Sequence, residues 1–250
     1  MGIIELSYFY IGAICGSFLN VIIYRLPNSQ SIVTPRSHCI HCNKHIPFYH
    51  NIPIISFLIL FGKCNNCNKR ISIQYPLVEI ITGVLFLYLF TNFYFYHAIL
   101  LSIILCLFLC IAIIDFFYYI IPLELIIINF VSISIFTYYF SSTFSYHLFG
   151  MVIGFSYLCF IFCLTWIFSK KQPMGYGDFL LIIILGLFVG PFKILLGIFF
   201  ASILGLFYWL FLILINGYEK NIKLPFGTFL IIASISLYLF KINFNLFTFF

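Results

Sequence analysis

Ala98-Ile-Leu-Leu-Ser-Ile-Ile-Leu-Cys-Leu-Phe-Leu-Cys-Ile-Ala-Ile-Ile-Asp115 carries no charge until its last residue. Wound into a helix, a run of this length nearly crosses a hydrocarbon core of about 30 Å. Comparable runs recur, and the spacing predicts helices over about 3–23, 77–96, 98–114, 121–141, 147–168, 178–191, 194–215 and 225–247. The chain has 250 residues, 64% of them hydrophobic and only 7% charged. A soluble domain of that size could not coat so much apolar surface, so a water-soluble globule is excluded. The expected class is all-α: a polytopic membrane helix bundle of about eight transmembrane helices carrying one small zinc-binding insertion. Its parts are a first transmembrane helix over 1–24, the insertion over 25–76 and a helical core over 77–250. The first run lacks a basic start and a small-residue cleavage site, so it is read as a membrane helix, not a removed signal. The sixth run is short and contains Gly186, Gly190 and Pro191, which predicts a tilt, break or dip in the membrane.

Basic residues set the expected orientation. Arg25, Arg36, Lys44, Lys63, Lys69 and Arg70 lie between the first two runs, Lys170 and Lys171 precede the sixth, and Lys220 and Lys223 precede the eighth. With eight crossings these regions share one side, leaving Lys193 and Lys241 to the other. The positive-inside rule makes the richer side cytoplasmic. The net charge of +6 then reads as topology and lipid contact, not nucleic-acid binding.

On the same reading, Asp115 at the end of the third run and Asp178 at the start of the sixth reach the same cytoplasmic boundary. An ionisable group there is costly to desolvate and is a functional candidate by default. Two carboxylates brought together can share one proton, so that one takes a proton from water while the other polarises a carbonyl. The residues point to a membrane-embedded aspartic peptidase. Taken singly, each aspartate is equally a helix-end residue bonded to backbone amides. Gly175 and Gly177, around Tyr176, are expected to supply backbone shapes closed to other residues and close approach of a substrate strand.

The insertion holds Cys39-Ile-His-Cys42 and Cys64-Asn-Asn-Cys67. Two C-x-x-C pairs at this separation are the spacing of a four-thiolate zinc ribbon or knuckle, in which the metal supplies much of the folding free energy. Paired disulfides or a redox-active C-x-x-C are the competing readings. His38, His41, His45 and His50 crowd the segment and are read as surface histidines. Cys106, Cys110, Cys159 and Cys163 fall inside apolar helices as small hydrophobes.

Further motifs stand in order along the chain: Gly16-Ser-Phe-Leu-Asn-Val-Ile-Ile-Tyr-Arg-Leu-Pro27, the paired cysteines with Asn51-Ile-Pro53 between them, and Gln74-Tyr-Pro-Leu-Val-Glu79 with Thr82-Gly83. Ile114-Asp115 with Ile121-Pro122 and Gly175-Tyr-Gly-Asp178 complete the set. In this order, on a multi-span chain, they resemble the bacterial type IV prepilin peptidases, the bifunctional leader peptidase/N-methyltransferases of pilus assembly, type II secretion and competence. The resemblance implies that Asp115 and Asp178 are the catalytic pair and that Cys39, Cys42, Cys64 and Cys67 bind zinc. It implies a prepilin or pseudopilin substrate in the bacterial inner membrane, cleaved after the glycine of a basic leader. It further implies methylation of the new amine from S-adenosylmethionine. Three positions depart from the usual pattern: Phe117 replaces a second acid, Leu123-Glu124 follows Pro122 where aspartate is common, and Phe179-Leu180-Leu181 lacks a lysine. The first two leave Asp115 alone as the first catalytic acid.

No glycine-rich nucleotide fingerprint is present, so a methyl donor would have to be held by the insertion and adjoining helix ends. Glu79 is the candidate for attracting its sulfonium or positioning the amine, and a structural pairing with Arg25 or Arg70 is the alternative. Glu5, Glu124 and Glu219 are left as interfacial residues. Other classes are a membrane thiol oxidoreductase working through the cysteine pairs, a preflagellin-type peptidase, and a small proton-coupled transporter. The last should show acids at mid-membrane and an inverted repeat, which the sequence does not display.

Overall fold

The computed structural model describes residues 2–141, 143–170, 174–217 and 223–239. Lys171, Glu219, Lys220, Lys241 and the end of the expected eighth helix lie outside the described residues. The chain divides into two compact units, Met1–Cys110 and Ile111–Phe250. Among the described residues there is no β-sheet, only helices, turns and two isolated antiparallel bridges. The all-α expectation is borne out.

In the first unit, α1 (Ile3–Arg25) packs along α3 (Gln74–Asn92). Small residues one turn apart allow it. A Cβ on Gly12 would lie 2.6 Å from the Thr82 carbonyl oxygen, and one on Gly16 would collide with the Thr82 hydroxyl. In return, Gly83 makes room for the Phe9 ring. Close backbone approach of this kind is how helices associate where lipid removes the hydrophobic drive. One turn beyond Gly16, Asn20 donates from Nδ2 to the Tyr75 carbonyl at 3.1 Å and ties the same pair of helices together. The insertion between them contains only a short helix, α2 (Ile55–Ile59), besides a single 3-10 turn at Phe48–His50.

The helix α4 (Phe95–Tyr118) starts in the first unit and ends in the second. There follow α5 (Leu123–Phe140), α6 (Phe144–Ser169), α7 (Tyr176–Val189), α8 (Pro191–Asn216) and α9 (Phe226–Leu239). The centre of this unit is α7, which packs against α5, α6, α8 and α9. Gly150 on α6 faces Gly186 on α7 so closely that a Cβ on Gly186 would come within 2.5 Å of the Gly150 carbonyl oxygen. α7 turns directly into α8 at Gly190, whose φ of 84° suits glycine, with Pro191 as the first residue of the next helix.

Among the described residues, six helices (α1, α3, α4, α5, α6 and α8) are long and apolar enough to cross a membrane. The sixth expected span, α7, has 14 residues and rises about 21 Å, short of a hydrocarbon core of about 30 Å. Its apolar character serves burial by other helices: Leu181, Ile182, Leu185 and Phe188 are all enclosed. By contrast α6 and α8 expose rows of large apolar side chains, including Phe149, Phe160, Phe199 and Phe207, the surface a lipid-facing helix presents.

Candidate peptidase dyad and metal centre

Three helix ends in the second unit build the first site. Asp115 lies in the last turn of α4, Asp178 in the first turn of α7, and α9 begins at Phe226. Both aspartates are buried, at 6% and 9% exposure. Asp115 Oδ2 accepts the backbone N–H of Thr228 at 2.8 Å and its hydroxyl at 3.1 Å, so the carboxylate caps the start of α9. The same hydroxyl lies 2.8 Å from the Ala112 carbonyl, one turn back on α4. An acid at a helix N-terminus is favoured by the exposed N–H groups and the dipole. Asp178 does the same for its own helix, accepting the Gly175 N–H through Oδ2 at 3.2 Å.

The two acids act on each other electrostatically. The Gly227 backbone also bonds the Asp115 carboxylate, so the start of α9 holds Asp115 and the start of α7 holds Asp178. Ile121, from the turn between α4 and α5, packs into the gap. A Cβ on Gly177 would lie 2.9 Å from the Ile121 Cβ, and one on Gly227 would lie 3.1 Å from Ile121 Cδ1 and 3.0 Å from Asp115 Oδ2.

The expectation of unusual backbone at Gly175 and Gly177 is corrected. Gly175 has φ −74° and ψ 150°, an ordinary extended conformation, and Gly177 lies within α7 with no positive φ. Gly177 is small because Ile121 occupies the place of its side chain. Thr228 and Gly227 were missed from sequence. The only local signal was Pro225-Phe-Gly-Thr228 ahead of an apolar run, a helix start like any other.

The first unit brings the four expected cysteines together, their Sγ atoms all within 4.8 Å of one another. Cys39 and Cys67 are 3.8 Å apart, and tetrahedral Zn–S bonds of about 2.3 Å set sulfur pairs about 3.8 Å apart. The donor set therefore fits a zinc ion. The two knuckles are built alike, from Cys39-Ile-His-Cys42-Asn43-Lys44 and Cys64-Asn-Asn-Cys67-Asn68-Lys69. In each, the first cysteine donates its N–H to the lysine carbonyl (3.0 and 2.9 Å) and accepts from the asparagine N–H (2.8 and 2.9 Å). Asn43 and Asn68 take the left-handed φ of 54° and 56° that asparagine tolerates. Lys44 bonds Asn66 across the two knuckles at 2.7 Å, and Asn66 reaches Cys42 Sγ at 3.5 Å. The Lys44 backbone N–H, with Asn66, draws Cys42 down to about 6, and the Cys67 and Asn66 N–H groups lower Cys64. These donors favour the thiolate at Cys42 and Cys64, while Cys67, against the pull of the Lys69 N–H, is pushed up to about 11 by burial and the neighbouring thiols.

Glu79 is the third element, buried on α3 at 6% exposure. Its Oε2 accepts the N–H of Ile54 at 2.7 Å, and the Ser17 hydroxyl on α1 also bonds it. Ile54 sits at φ 63°, a strained place for a β-branched residue, so Glu79 pins a difficult turn of the insertion. Neither arginine partner weighed from sequence is used in that way. Arg25 instead gives its guanidinium to the carbonyls of Ser31, Ile32 and Pro35. Glu79 also lies on the wall of a cavity of about 1050 Å³ between α1, α3 and the insertion.

Two family descriptions match the chain: the Bacterial Peptidase A24 N-terminal domain over residues 10–93 and the Type IV leader peptidase family over residues 101–210. The chain is 34% identical to the prepilin leader peptidase/N-methyltransferase of Myxococcus xanthus, over 84% of this chain and 63% of that protein. It is 29% identical to the protein of the same name from Pseudomonas aeruginosa, over 89% and 86%. It is 32% identical to the type 4 prepilin-like proteins leader peptide-processing enzyme of Escherichia coli, over 90% of each chain. No solved structure gives a significant match.

Proposed function

We propose, from the premise that this chain belongs to the type IV leader peptidase family, that it is a multi-pass aspartic endopeptidase whose catalytic pair is Asp115 and Asp178. The observation carrying the proposal is two buried carboxylates on adjoining helix ends, each anchored by backbone N–H groups and each acting on the other electrostatically. The substrates are prepilins or pseudopilins. A cleavage site at the cytoplasmic face of the inner membrane would suit a leader in water joined to a helix in lipid.

The chemistry follows from one shared proton. The ionised carboxylate takes a proton from water as the water oxygen attacks the carbonyl carbon of the leader glycine. The protonated carboxylic acid gives its proton to the carbonyl oxygen. Collapse of that adduct breaks the C–N bond, and the leaving nitrogen takes the proton first drawn from water. Ile121 and the starts of α7 and α9 keep the pair in register. The cysteine quartet takes no part in this step: as a closed four-thiolate site it would hold structural zinc and fold the insertion.

The relatives' names also support methylation of the new N-terminal amine by this chain. S-adenosylmethionine, when bound, supplies a methyl group on a positively charged sulfur. Glu79 is the chain's own contribution, a carboxylate placed to favour that charge and to receive the amine's proton.

Asp115→Asn and Asp178→Asn test the peptidase reading. Each should lose cleavage of a prepilin peptide by at least about a thousandfold, read by mass measurement, while membrane insertion and zinc content stay normal. Normal processing by either variant removes that residue from the mechanism.

A further inference from the structure

We infer that α2 is an interfacial anchor: its outer face, Ile55, Leu58 and Ile59 with Phe61 just beyond, lies among the headgroups and upper acyl chains of an anionic leaflet. The three helical residues stand at i, i+3 and i+4 and so share one side. With Phe61 they are 43%, 65%, 67% and 88% exposed. The other side of α2 is the one the protein uses. Ser56 is buried, donating its hydroxyl to the Tyr49 carbonyl at 3.1 Å and accepting the Ile52 N–H at 3.0 Å. Phe57 and Leu60 line the cavity between α1, α3 and the insertion. Left-handed backbone at Ile54 and Phe61, with φ of 63° and 51°, turns the chain at both ends of the helix. Bulky residues are held in that conformation at a cost, and the result is an apolar face turned outward.

What covers this face follows from its depth. Glu79 takes both the Ile54 N–H and the Ser17 hydroxyl, so the start of α2 is level with Ser17. Ser17 lies eight residues before the end of α1 at Arg25, about 12 Å along its axis. Both α1 and α3 are of spanning length, so α2 begins beside the membrane part of the pair and not in the water beyond it. Near the same level α3 exposes Leu77, Ile80 and Ile81, a surface suited to lipid. A short helix with an apolar outer face at this depth sits in the boundary between headgroups and acyl chains, as monotopic helices do.

Charge selects the lipid. Residues 26–73 contain no aspartate or glutamate. Lys63 follows Phe61 by two places and is bridged through its backbone to Arg70, and both are exposed, as is Lys69. Phosphate groups at the leaflet surface attract such a cluster. The same cluster repels a basic leader, so charge favours lipid over substrate at this face.

Tryptophan quenching tests this in the intact, zinc-loaded protein, in nanodiscs whose lipids carry bromine high on the acyl chains. The wild-type emission of Trp166 and Trp209 is subtracted. The added signal of Leu58→Trp should then fall at least about twofold against unbrominated discs, while that of Asn65→Trp, on the second cysteine knuckle, should hardly change. Discs rich in anionic lipid should quench Leu58→Trp more than purely zwitterionic ones, and adding Lys63→Glu with Arg70→Glu should remove that difference. With zinc content normal, a Leu58→Trp signal quenched no more than that of Asn65→Trp overturns the proposal. A signal that responds only when a prepilin peptide is added gives the face to the substrate and overturns it too. Quenching indifferent to lipid charge overturns the part given to Lys63 and Arg70.

Discussion

Asp115 receives two hydrogen bonds from Thr228, a residue 113 positions further along, and is bonded by the Gly227 backbone as well. The backbone N–H makes the shorter bond, and the hydroxyl is shared with the Ala112 carbonyl. Thr228→Val should therefore keep the helix start but reduce kcat by about tenfold or less, since the hydroxyl contact is lost while the backbone contacts from Thr228 and Gly227 remain. Thr228→Ser should restore most of the rate with KM unchanged, and a fall in zinc content or insertion level would mark a folding defect instead. Gly177 is a second residue whose role is steric. Gly177→Ala puts a methyl 2.9 Å from the Ile121 Cβ, so the start of α7 must shift or Ile121 must yield. Cleavage should fall steeply, and adding Ile121→Ala should recover part of it. Equal losses in the single and double variants would show that Ile121 is not the obstacle.

At the scale of elements, the insertion depends on few contacts of its own. Its two knuckles are alike in hydrogen bonding and meet through Lys44, Asn66 and the four sulfurs. Beyond them, Glu79 pins the Ile54 turn, and α2 is five residues long. So little apolar burial predicts a segment whose folding is metal binding by another name. Chelation should release about one zinc per chain and make residues 26–73 sensitive to protease, while the second-unit helices keep their helical signal. A chelated protein that stays protease-resistant would argue for a fold held by the chain alone. The short α7 makes the opposite case: the helices around it supply its stability, and its first turn is correspondingly well placed to hold Asp178.

For the whole molecule, the expected orientation follows from charge. The insertion holds six of the twelve lysines and arginines, whereas Lys193 lies in the first turn of the long apolar α8. Phosphatase reporters inserted near residue 70 should be inactive, and those near residue 193 active, because the enzyme folds only outside the cytoplasm. The reverse result would put the insertion outside and contradict a thiolate zinc site in a reducing compartment. Six helices of spanning length among the described residues, and relatives named prepilin leader peptidases, agree with a multi-pass membrane enzyme.

Apolar run length, set against bilayer thickness, was enough to read a helical membrane protein from the sequence, because a spanning backbone must satisfy its own hydrogen bonds. The cysteine spacing was enough to foresee a thiolate cluster, because ligands on two tight turns must recur at short intervals. The aspartates stood out because charge is rare in such a chain. What only the tertiary structure decided was their company. Thr228, Gly227 and Ile121 meet Asp115 and Asp178 through contacts between helix ends far apart in sequence, and no local pattern encodes such a meeting. The same holds for Glu79, whose partners are the Ser17 hydroxyl and a backbone N–H that any residue at position 54 other than proline would offer.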